Sequence, residues 1–470
     1  MSLNSKTITK HKKKYYKWPP KRRISDFKSK ILNYLPAFIV VGILRKFLIK
    51  SDYRLKRESS KFFELCIRAY DSKNLCKTDR LLIVAFNLVG LAVSNDYVVL
   101  LRNAVASTLN DPKSRRERSE CVLSATKELP ISLFDATGWY QLSRGLFYLG
   151  YFRAAWFARE NSLDLSISEG SNLNSSATSV CRALEAQLER LDLDFVRMTL
   201  AEANVLGLKA LDSFGEILEL FDGKVEDRFT HRTGIYSESE RLFRELVNGK
   251  KVVLVGPGSA HGEHGVEIDS ADTVARIKYP GTKYLLDKKQ FGERCDISQY
   301  PGLEPLREMA LISPYEFFDD LRLIVAGGID SRAVRNTPVF CEDQELSMYR
   351  TTATSGLRLL VSLIRRRPSS LKIFGYGFYT ECEPYNAGMK SFYVNDAWKM
   401  GIGFLHGTRS DYPRVEITSS FGAHDPVSNF CFAQNLYKAG LFDIEPNGKS
   451  ILELTPYQYV ERLEEMLGDW

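Results

Sequence analysis

The eight cysteines of this 470-residue chain are scattered, and no two of them form a C-x-x-C pair. A disulfide framework or a zinc site needs cysteines clustered at short spacing. The sequence therefore argues against both kinds of site. It predicts free thiols in a reducing compartment instead.

A clear membrane-spanning run is also missing from the N-terminal region. The uncharged stretch Ile31–Leu44 has only 14 residues, and Pro36 interrupts it, whereas a spanning helix needs about 20 apolar residues. Basic residues flank it on both sides, which does not fit a signal peptide. The pattern favours a helix lying on an anionic membrane surface. A helix buried against the protein body is the main alternative, and a true span is a third.

The body of the protein lacks an excess of basic charge. Residues 1–58 carry 17 Lys and Arg against three acidic residues, which leaves 48 basic and 55 acidic residues in the rest of the chain. A nucleic-acid-binding domain would spread basic residues over a folded face. No nucleic-acid partner is therefore expected, and residues 1–58 form a basic arm suited to a membrane surface.

Residues 59–228 are predicted to be helical. In Trp139–Leu165, apolar residues recur at helical spacing, Gly150 interrupts them, and a second helix follows. This segment resembles one tetratricopeptide-type unit, although Arg159 stands where such repeats usually carry an aromatic residue. The region is either a helical-repeat module that docks a partner or a bundle that braces the next domain. Two further stretches are predicted to be helical, 81–109 and 183–206.

From Lys250 onward, short β-branched runs alternate with helix-like segments. This pattern predicts an α/β domain with a Rossmann-like parallel sheet flanked by helices. We place its boundary with the helical domain near residue 229, so that the second domain comprises 229–470. The predicted strands are Lys251–Val255, Thr273–Ile277, Leu321–Val325, Leu371–Phe374 and Val415–Thr418, and the clearest helix is Gly356–Arg366.

The first predicted strand runs into the loop Gly256-Pro257-Gly258-Ser259. Glycines would let a phosphate approach the backbone amides, beside a serine hydroxyl. The loop lacks the lysine of a P-loop and the third glycine of a dinucleotide fingerprint. On its own it is therefore either a nucleotide site or an ordinary turn between a strand and a helix.

A second segment opens with Thr354-Ser355-Gly356 and closes with Gly375-Tyr376-Gly377-Phe378. Free amides at the start of a helix offer an anion both hydrogen-bond donors and the positive end of the dipole. Ordinary capping of a core helix is the alternative, and the two roles do not exclude each other.

Two histidines complete the set of candidates. His424 is followed by Asp425 and by a predicted amphipathic helix, Asn429–Lys438, and His406 lies 18 residues upstream. A lone histidine is more often structural than catalytic, but an imidazole near its pKa suits proton transfer at neutral pH.

Together these segments resemble the sialyltransferase family. Val252–Arg276 is similar to its large sialyl motif, Thr354–Phe378 to its small motif and His424-Asp425 to its very small motif. The resemblance covers about residues 248–440 and implies a GT-A-like sialyltransferase fold. It implies that His424 is the general base, that His406 contacts the donor phosphate, and that the donor nucleotide is bound by Gly256, Gly258, Ser259, Arg276, Thr354, Ser355, Gly356 and Tyr376.

The chain departs from the family pattern at several positions. Pro257 and Lys278 replace two asparagines of the nucleotide site. The cysteine pair that links the large and small motifs is absent, and Val427-Ser428-Asn429 stands where an acidic residue follows the histidine. The aromatic residues usual after His406 are missing. Donor contacts are therefore expected to differ in detail.

The resemblance implies an inverting transferase that needs no metal or other cofactor. Its donor would be a CMP-activated acidic keto-sugar, sialic acid or Kdo, and its acceptor a glycan or glycolipid hydroxyl. The basic arm predicts a cytoplasmic enzyme held at the inner face of the plasma membrane. A non-catalytic nucleotide-binding or scaffold protein with a degenerate transferase-like domain is the alternative.

Overall fold

The computed structural model describes residues 115–170, 176–205, 212–225, 238–258, 261–279, 281, 287–300, 321–326, 337–341, 346, 348–381 and 424–467. All of them belong to one compact unit that includes residues 103–470. Several predictions lie outside the described residues, namely those for 1–58, 81–109, the boundary near 229, strand 415–418, Ser259 and His406.

The first part of the described chain is a helical layer. Its helices are α1 (Arg115–Lys127), α2 (Ala136–Leu149), α3 (Phe152–Gly170), α4 (Ala177–Glu189), α5 (Leu193–Val205) and α6 (Asp212–Phe221), with a 3₁₀ turn at Ile131–Leu133.

The predicted helical hairpin is confirmed by α2 and α3. The carboxylate of Asp135 caps α2 by accepting a hydrogen bond from the Gly138 amide at 2.7 Å. Gly150 ends the helix in a left-handed conformation, with φ of 80°, which glycine adopts without strain. The fully buried Trp139 donates from Nε1 to the Ile131 carbonyl at 3.0 Å. The tetratricopeptide interpretation stays a prediction.

The second part is built on a parallel sheet, as predicted. Within the described residues, seven strands run in the order β5–β4–β3–β2–β1–β6–β7, and each neighbouring pair is parallel. They are β1 (Lys251–Val255), β2 (Thr273–Ile277), β3 (Ile297–Tyr300), β4 (Leu323–Ala326), β5 (Val339–Cys341), β6 (Ser370–Phe374) and β7 (Asp443–Ile444).

The strand order runs outward from β1 in both directions. Val255, the last residue of β1, pairs with Arg276 of β2 on one side and with Phe374 of β6 on the other. The strand order therefore switches between β1 and β6, and the loops that follow these two strands meet at the carboxyl edge of the sheet. In open α/β sheets, ligands bind in the crevice at such a switch point.

Helices of the second part pack on the sheet and on the helical layer. They are α7 (Glu238–Val247), α8 (Gly265–Asp269), α9 (Lys288–Phe291), α10 (Ser355–Ile364), α11 (Pro426–Lys438), α12 (Pro446–Leu452) and α13 (Pro456–Leu467). Helix α10 packs on β2 and β3, α3 packs on α13, and α4 packs on α11. The helical layer thus braces the C-terminal helices of the same compact unit.

Helix α11 differs from the predicted amphipathic helix in two ways. It begins at Pro426, three residues earlier than predicted, because Asp425 caps it by accepting hydrogen bonds from the Val427 and Ser428 amides. Residues 426–436 are buried on all sides of the helix. Several of its buried polar side chains are hydrogen-bonded within the protein; Gln434, for example, donates to the carbonyls of Leu452 and Leu454.

Candidate functional site

The loops that follow β1 and β6 lie directly against each other. The Gly256 amide donates to the Phe374 carbonyl at 2.7 Å, and the Gly258 amide donates to the Gly375 carbonyl at 2.9 Å. A Cβ atom on Gly256 would lie 2.2 Å from the Gly375 oxygen. Backbone packing between the loops therefore requires glycine at position 256. The amides of Gly256 and Gly258, which were predicted to bind a phosphate, are thus hydrogen-bonded to β6 and its loop.

Helix α10 begins beside these loops. Thr354 caps it, its hydroxyl lies 3.2 Å from the Tyr376 hydroxyl, and burial raises the pKa of that phenol. A Cβ atom on Gly356 would meet the Tyr376 ring at 2.5 Å. The amides of Ser355 and Gly356 have no acceptor among the described residues. The helix start and Tyr376 thus come together as the small-motif resemblance implies.

His424 lies at the same helix start. Its Nδ1 is 3.1 Å from the Thr352 carbonyl oxygen and 3.4 Å from the Thr352 hydroxyl; the shorter contact, to an oxygen that can only accept, favours a protonated Nδ1. Nε2 then carries the lone pair, which is the arrangement that a general base requires. Burial, followed by the positive charges of Lys278 and Arg358, lowers the pKa of His424 below 6.5 and keeps the imidazole neutral at pH 7, against the opposing effect of its bond to Thr352.

Asn429 fixes His424 to the helix start through α11. Its Oδ1 accepts a hydrogen bond from the Thr354 amide at 2.8 Å, and its Nδ2 donates to the Asp425 carbonyl at 2.9 Å. One buried side chain thus joins the residue after His424 to the cap of α10. In the sequence analysis, Asn429 appears as the start of the predicted amphipathic helix and as part of the stretch that replaces an acidic residue; neither role predicted its contact with Thr354.

Two basic side chains accompany His424. Lys278 follows β2, with φ of 54°, and burial lowers the pKa of its amine to about 7. Arg358 lies in the first turn of α10, and its Nε is buried without an acceptor among the described residues. Both charges act on His424. The side of the site formed by β2 and α10 is therefore electropositive.

Arg276 does not lie free for a ligand. This residue of β2 is only 4% exposed. Its Nε donates to the Arg294 carbonyl at 2.8 Å, and its Nη2 donates to the Phe291 carbonyl at 2.6 Å. Burial lowers the pKa of this guanidinium. In the described structure, Arg276 holds the end of α9 against β2, which is a structural role.

A small apolar cavity of about 20 Å³ lies behind Tyr376. It is bounded by the start of α10, the end of β6, α11 and α13, with Phe430 and Tyr459 among its walls. A water molecule needs roughly 10–15 Å³ of this kind of volume, whereas ligand pockets reach several hundred. This cavity is therefore core space and not a ligand pocket.

Two further observations concern metals and membranes. Among the described ranges, no group of three or more His, Cys, Asp and Glu side chains comes together in a way that could hold a metal ion. None of the helices in those ranges combines the length and the apolar character that crossing a bilayer demands.

These features define an α/β protein whose candidate site lies at the switch point of a parallel sheet. The site combines a helix start, a neutral histidine and two basic side chains. No family model matches the chain, and no curated protein matches it in sequence. The resemblance to sialyltransferases therefore rests on the motifs in this sequence.

Proposed function

We propose that the site transfers an acidic keto-sugar, sialic acid or Kdo, from a CMP donor to a hydroxyl of a glycan or glycolipid. The observation that carries this proposal is the convergence of His424, the start of α10 and Tyr376 beside the β1 loop. Segments more than 160 residues apart along the chain meet at one sheet edge, in the order that the sialyl motifs imply.

The chemistry of the transfer assigns a role to each group. The acceptor oxygen attacks the anomeric carbon as the bond from that carbon to the phosphate oxygen breaks. Nε2 of His424 takes the acceptor proton, and CMP leaves with the electron pair of the broken bond. Inversion follows from this single displacement.

Charge develops on the leaving phosphate, and fixed donors stabilise it. Gly258 is a weak choice for this role because its amide binds Gly375. The free amides of Ser355 and Gly356 and the cations Lys278 and Arg358 are better placed around His424. Lys278 would supply a full charge at a position where the family pattern has an asparagine.

A second candidate function is nucleotide binding without turnover. It is favoured by Pro257 and Lys278, which replace two asparagines of the family pattern, and by the Gly256 and Gly258 amides, which are engaged with Phe374 and Gly375 and so do not stabilise a leaving phosphate. In that case the domain would bind CMP, and the helical layer would serve as a scaffold.

A donor screen separates the two functions. The full chain is incubated with CMP-sialic acid or CMP-Kdo and a panel of glycan acceptors, and CMP release and products are measured. We expect release of CMP that depends on the acceptor. Binding of CMP without release from either donor would favour the scaffold, and no binding at all would exclude both.

The place of action belongs to the same proposal. The basic arm 1–58 and the uncharged stretch 31–44 support a cytoplasmic enzyme held at the inner face of the plasma membrane. Its partners would then be the CMP-sugar donor, the acceptor and an anionic membrane surface.

A further inference from the structure

A buried charge cluster joins the helical layer to the residue that follows His424. We call it the Arg159 cluster, and it consists of Arg159, Glu189, Asp425 and Ser428. Arg159 of α3 is fully buried; its Nε donates to Asp425 Oδ2 and its Nη2 to Ser428 Oγ, both at 2.8 Å. Nη2 also pairs with Glu189 at the end of α4.

Asp425 is held at every polar atom that the backbone and side chain offer. Its amide donates to Thr351 Oγ1 at 2.9 Å, its carbonyl accepts from Asn429, and its Oδ1 caps α11. Oδ2 is left for Arg159. The carboxylate of Asp425 therefore does not contact the imidazole of its neighbour; it fixes the peptide that carries His424.

Packing alone does not explain why an arginine occupies this position. A buried ion pair adds little stability compared with apolar residues of similar volume, because both charges lose their hydration. A hairpin helix such as α3 would bury an apolar side chain there at lower cost. A buried arginine does add a fixed geometry, because its planar guanidinium holds several hydrogen-bond partners at defined angles.

We propose that Arg159 is a positioning residue for the transfer reaction: by holding Asp425, it fixes the imidazole of His424 relative to α10. This inference rests on the proposed function. It gives the helical layer a direct part in the site, because the guanidinium lies on α3 whereas the base lies 265 residues further along the chain.

Two substitutions at Arg159 test this role against a matched control. Arg159→Lys keeps a positive charge but lacks the planar fork that holds Asp425 and Ser428 together. Arg159→Met removes the hydrogen bonds and ion pairs of the guanidinium. The control is Arg153→Met on the same helix. Arg153 also joins α3 to a C-terminal helix, through a 2.9 Å bond from Nε to Glu464 on α13, but it contacts none of the residues around His424.

We expect both Arg159 variants to lower kcat at least tenfold, with the Kd for CMP and the KM for the donor within about twofold of wild type. A misplaced catalytic group has this effect because reactive geometry is lost while binding remains. Arg153→Met should lower the melting temperature and leave kcat unchanged. Wild-type kcat in folded Arg159→Lys and Arg159→Met would overturn the inference.

A second readout does not depend on turnover. The pKa of His424 can be followed by NMR of labelled histidine, with His424→Asn identifying its resonance. Loosening of the segment should admit water and raise this pKa towards 6.5 in the Arg159 variants but not in Arg153→Met. If wild-type protein transfers no sugar, the proposed function fails, and this titration still decides whether Arg159 positions the imidazole.

Arg159→Met leaves two carboxylates in the core and could fail to fold. Asp425→Asn then replaces it, because asparagine keeps the capping oxygen for Val427 and Ser428 and loses the anionic acceptor for Nε. The same loss of kcat and the same rise in the pKa of His424 are expected. Unchanged values in this variant and in Arg159→Lys would refute the role.

Discussion

The imidazole Nδ1 of His424 lies 3.1 Å from the carbonyl oxygen of Thr352, two residues before the cap of α10. This contact favours the tautomer with a protonated Nδ1 and attaches the ring to the start of the helix. Under the proposed function, His424 would then act as the base beside the start of α10 and the charges of Lys278 and Arg358.

Replacement of His424 tests the base directly. His424→Ala should lower transfer by about 100- to 10,000-fold, the usual contribution of general base catalysis, with CMP affinity nearly unchanged. His424→Asn can still donate to the Thr352 carbonyl but cannot accept a proton, so it should be equally inactive. Comparable transfer in either variant would exclude the base assignment.

The pH dependence of transfer by the wild-type protein also tests whether His424 is the base. Since burial holds the pKa of His424 below 6.5, the imidazole stays in its basic form at pH 7. At a saturating donor concentration, kcat should therefore be lost as the pH falls below 6.5; a kcat that stays constant down to pH 5 would exclude His424 as the base.

The lowered pKa of Lys278 predicts that CMP binding depends on pH. Burial lowers the pKa of its amine to about 7, and its positive charge acts on His424. A bound phosphate favours the charged amine and raises this pKa, so binding takes up a proton above pH 7. Affinity should fall between pH 7 and 9, and calorimetry in buffers of different ionisation enthalpy should detect the proton.

Variants at Lys278 distinguish the effect of the side chain's charge on CMP binding from the effect of its shape. Lys278→Met should weaken CMP binding by about 10- to 100-fold at pH 7, the value of a charge-assisted hydrogen bond, and abolish the pH dependence. Lys278→Arg stays charged and should bind equally well at pH 7 and 9. A wild-type affinity that is constant over this range would place the phosphate elsewhere.

Gly256 distinguishes backbone packing from phosphate binding. Alanine would put Cβ 2.2 Å from the Gly375 oxygen, and neither backbone can move without parting β1 from β6. Gly256→Ala should therefore destabilise the fold by about 1–3 kcal/mol or more, as overpacking does.

Gly215 provides the control for that measurement. It lies within α6 with no atom near its would-be Cβ, so Gly215→Ala should stabilise the protein by up to about 1 kcal/mol. Both free energies can be measured by denaturant unfolding. Loss of CMP binding in a Gly256→Ala protein of wild-type stability would restore the loop as a phosphate cradle.

Strand β1 could be predicted because it is a β-branched run between Gly249 and Gly256, and β2 and β6 because three of the five residues in each are apolar. Strands β1 and β2 have the predicted bounds, and β6 begins one residue earlier. The missed strands β3, β5 and β7 have four, three and two residues. The sequence of β3, ISQY, mixes buried polar residues with apolar ones, so neither a hydrophobic run nor an alternation marks it.

The candidate site was predictable in place but not in its contacts. Local patterns located the β1 loop, the start of α10 and His424. They could not reveal that the amide of Gly258 faces Gly375, because that contact depends on β6 lying next to β1. Arg159 and Asp425 are separated by 266 positions, and the only local signal was an arginine where a repeat would carry an aromatic residue.

Glu189 makes the stability of the protein depend on pH. Burial, reinforced by Asp425 and opposed by Arg159, raises the pKa of this carboxyl from 4.5 to about 7. Cys431 and Tyr140 also face the cluster, and burial raises the pKa of each. Glu160 also interacts with Arg159, and burial raises the pKa of its carboxyl above 4.5. Glu189 is the carboxyl of the Arg159 cluster whose pKa is raised to about 7.

The direction of this pH dependence is set by the number of protons that the folded and unfolded states bind. Between pH 4.5 and 7 the folded state keeps the Glu189 proton that the unfolded state has lost, so the free energy of unfolding falls as the pH rises. The slope is at most about 1.4 kcal/mol per pH unit, and the loss is complete above pH 7. Glu189→Gln resembles the protonated side chain and cannot titrate. Its Oε1 can accept from Arg159, and its amide can donate to Ser428.

We therefore expect Glu189→Gln to match wild type at pH 5 and to exceed it by about 1–3 kcal/mol at pH 8, measured by urea unfolding at both pH values. The difference between the two proteins removes the contribution of all other titrating groups. An equal difference at pH 5 and pH 8 would mean that Glu189 is already ionised at pH 5.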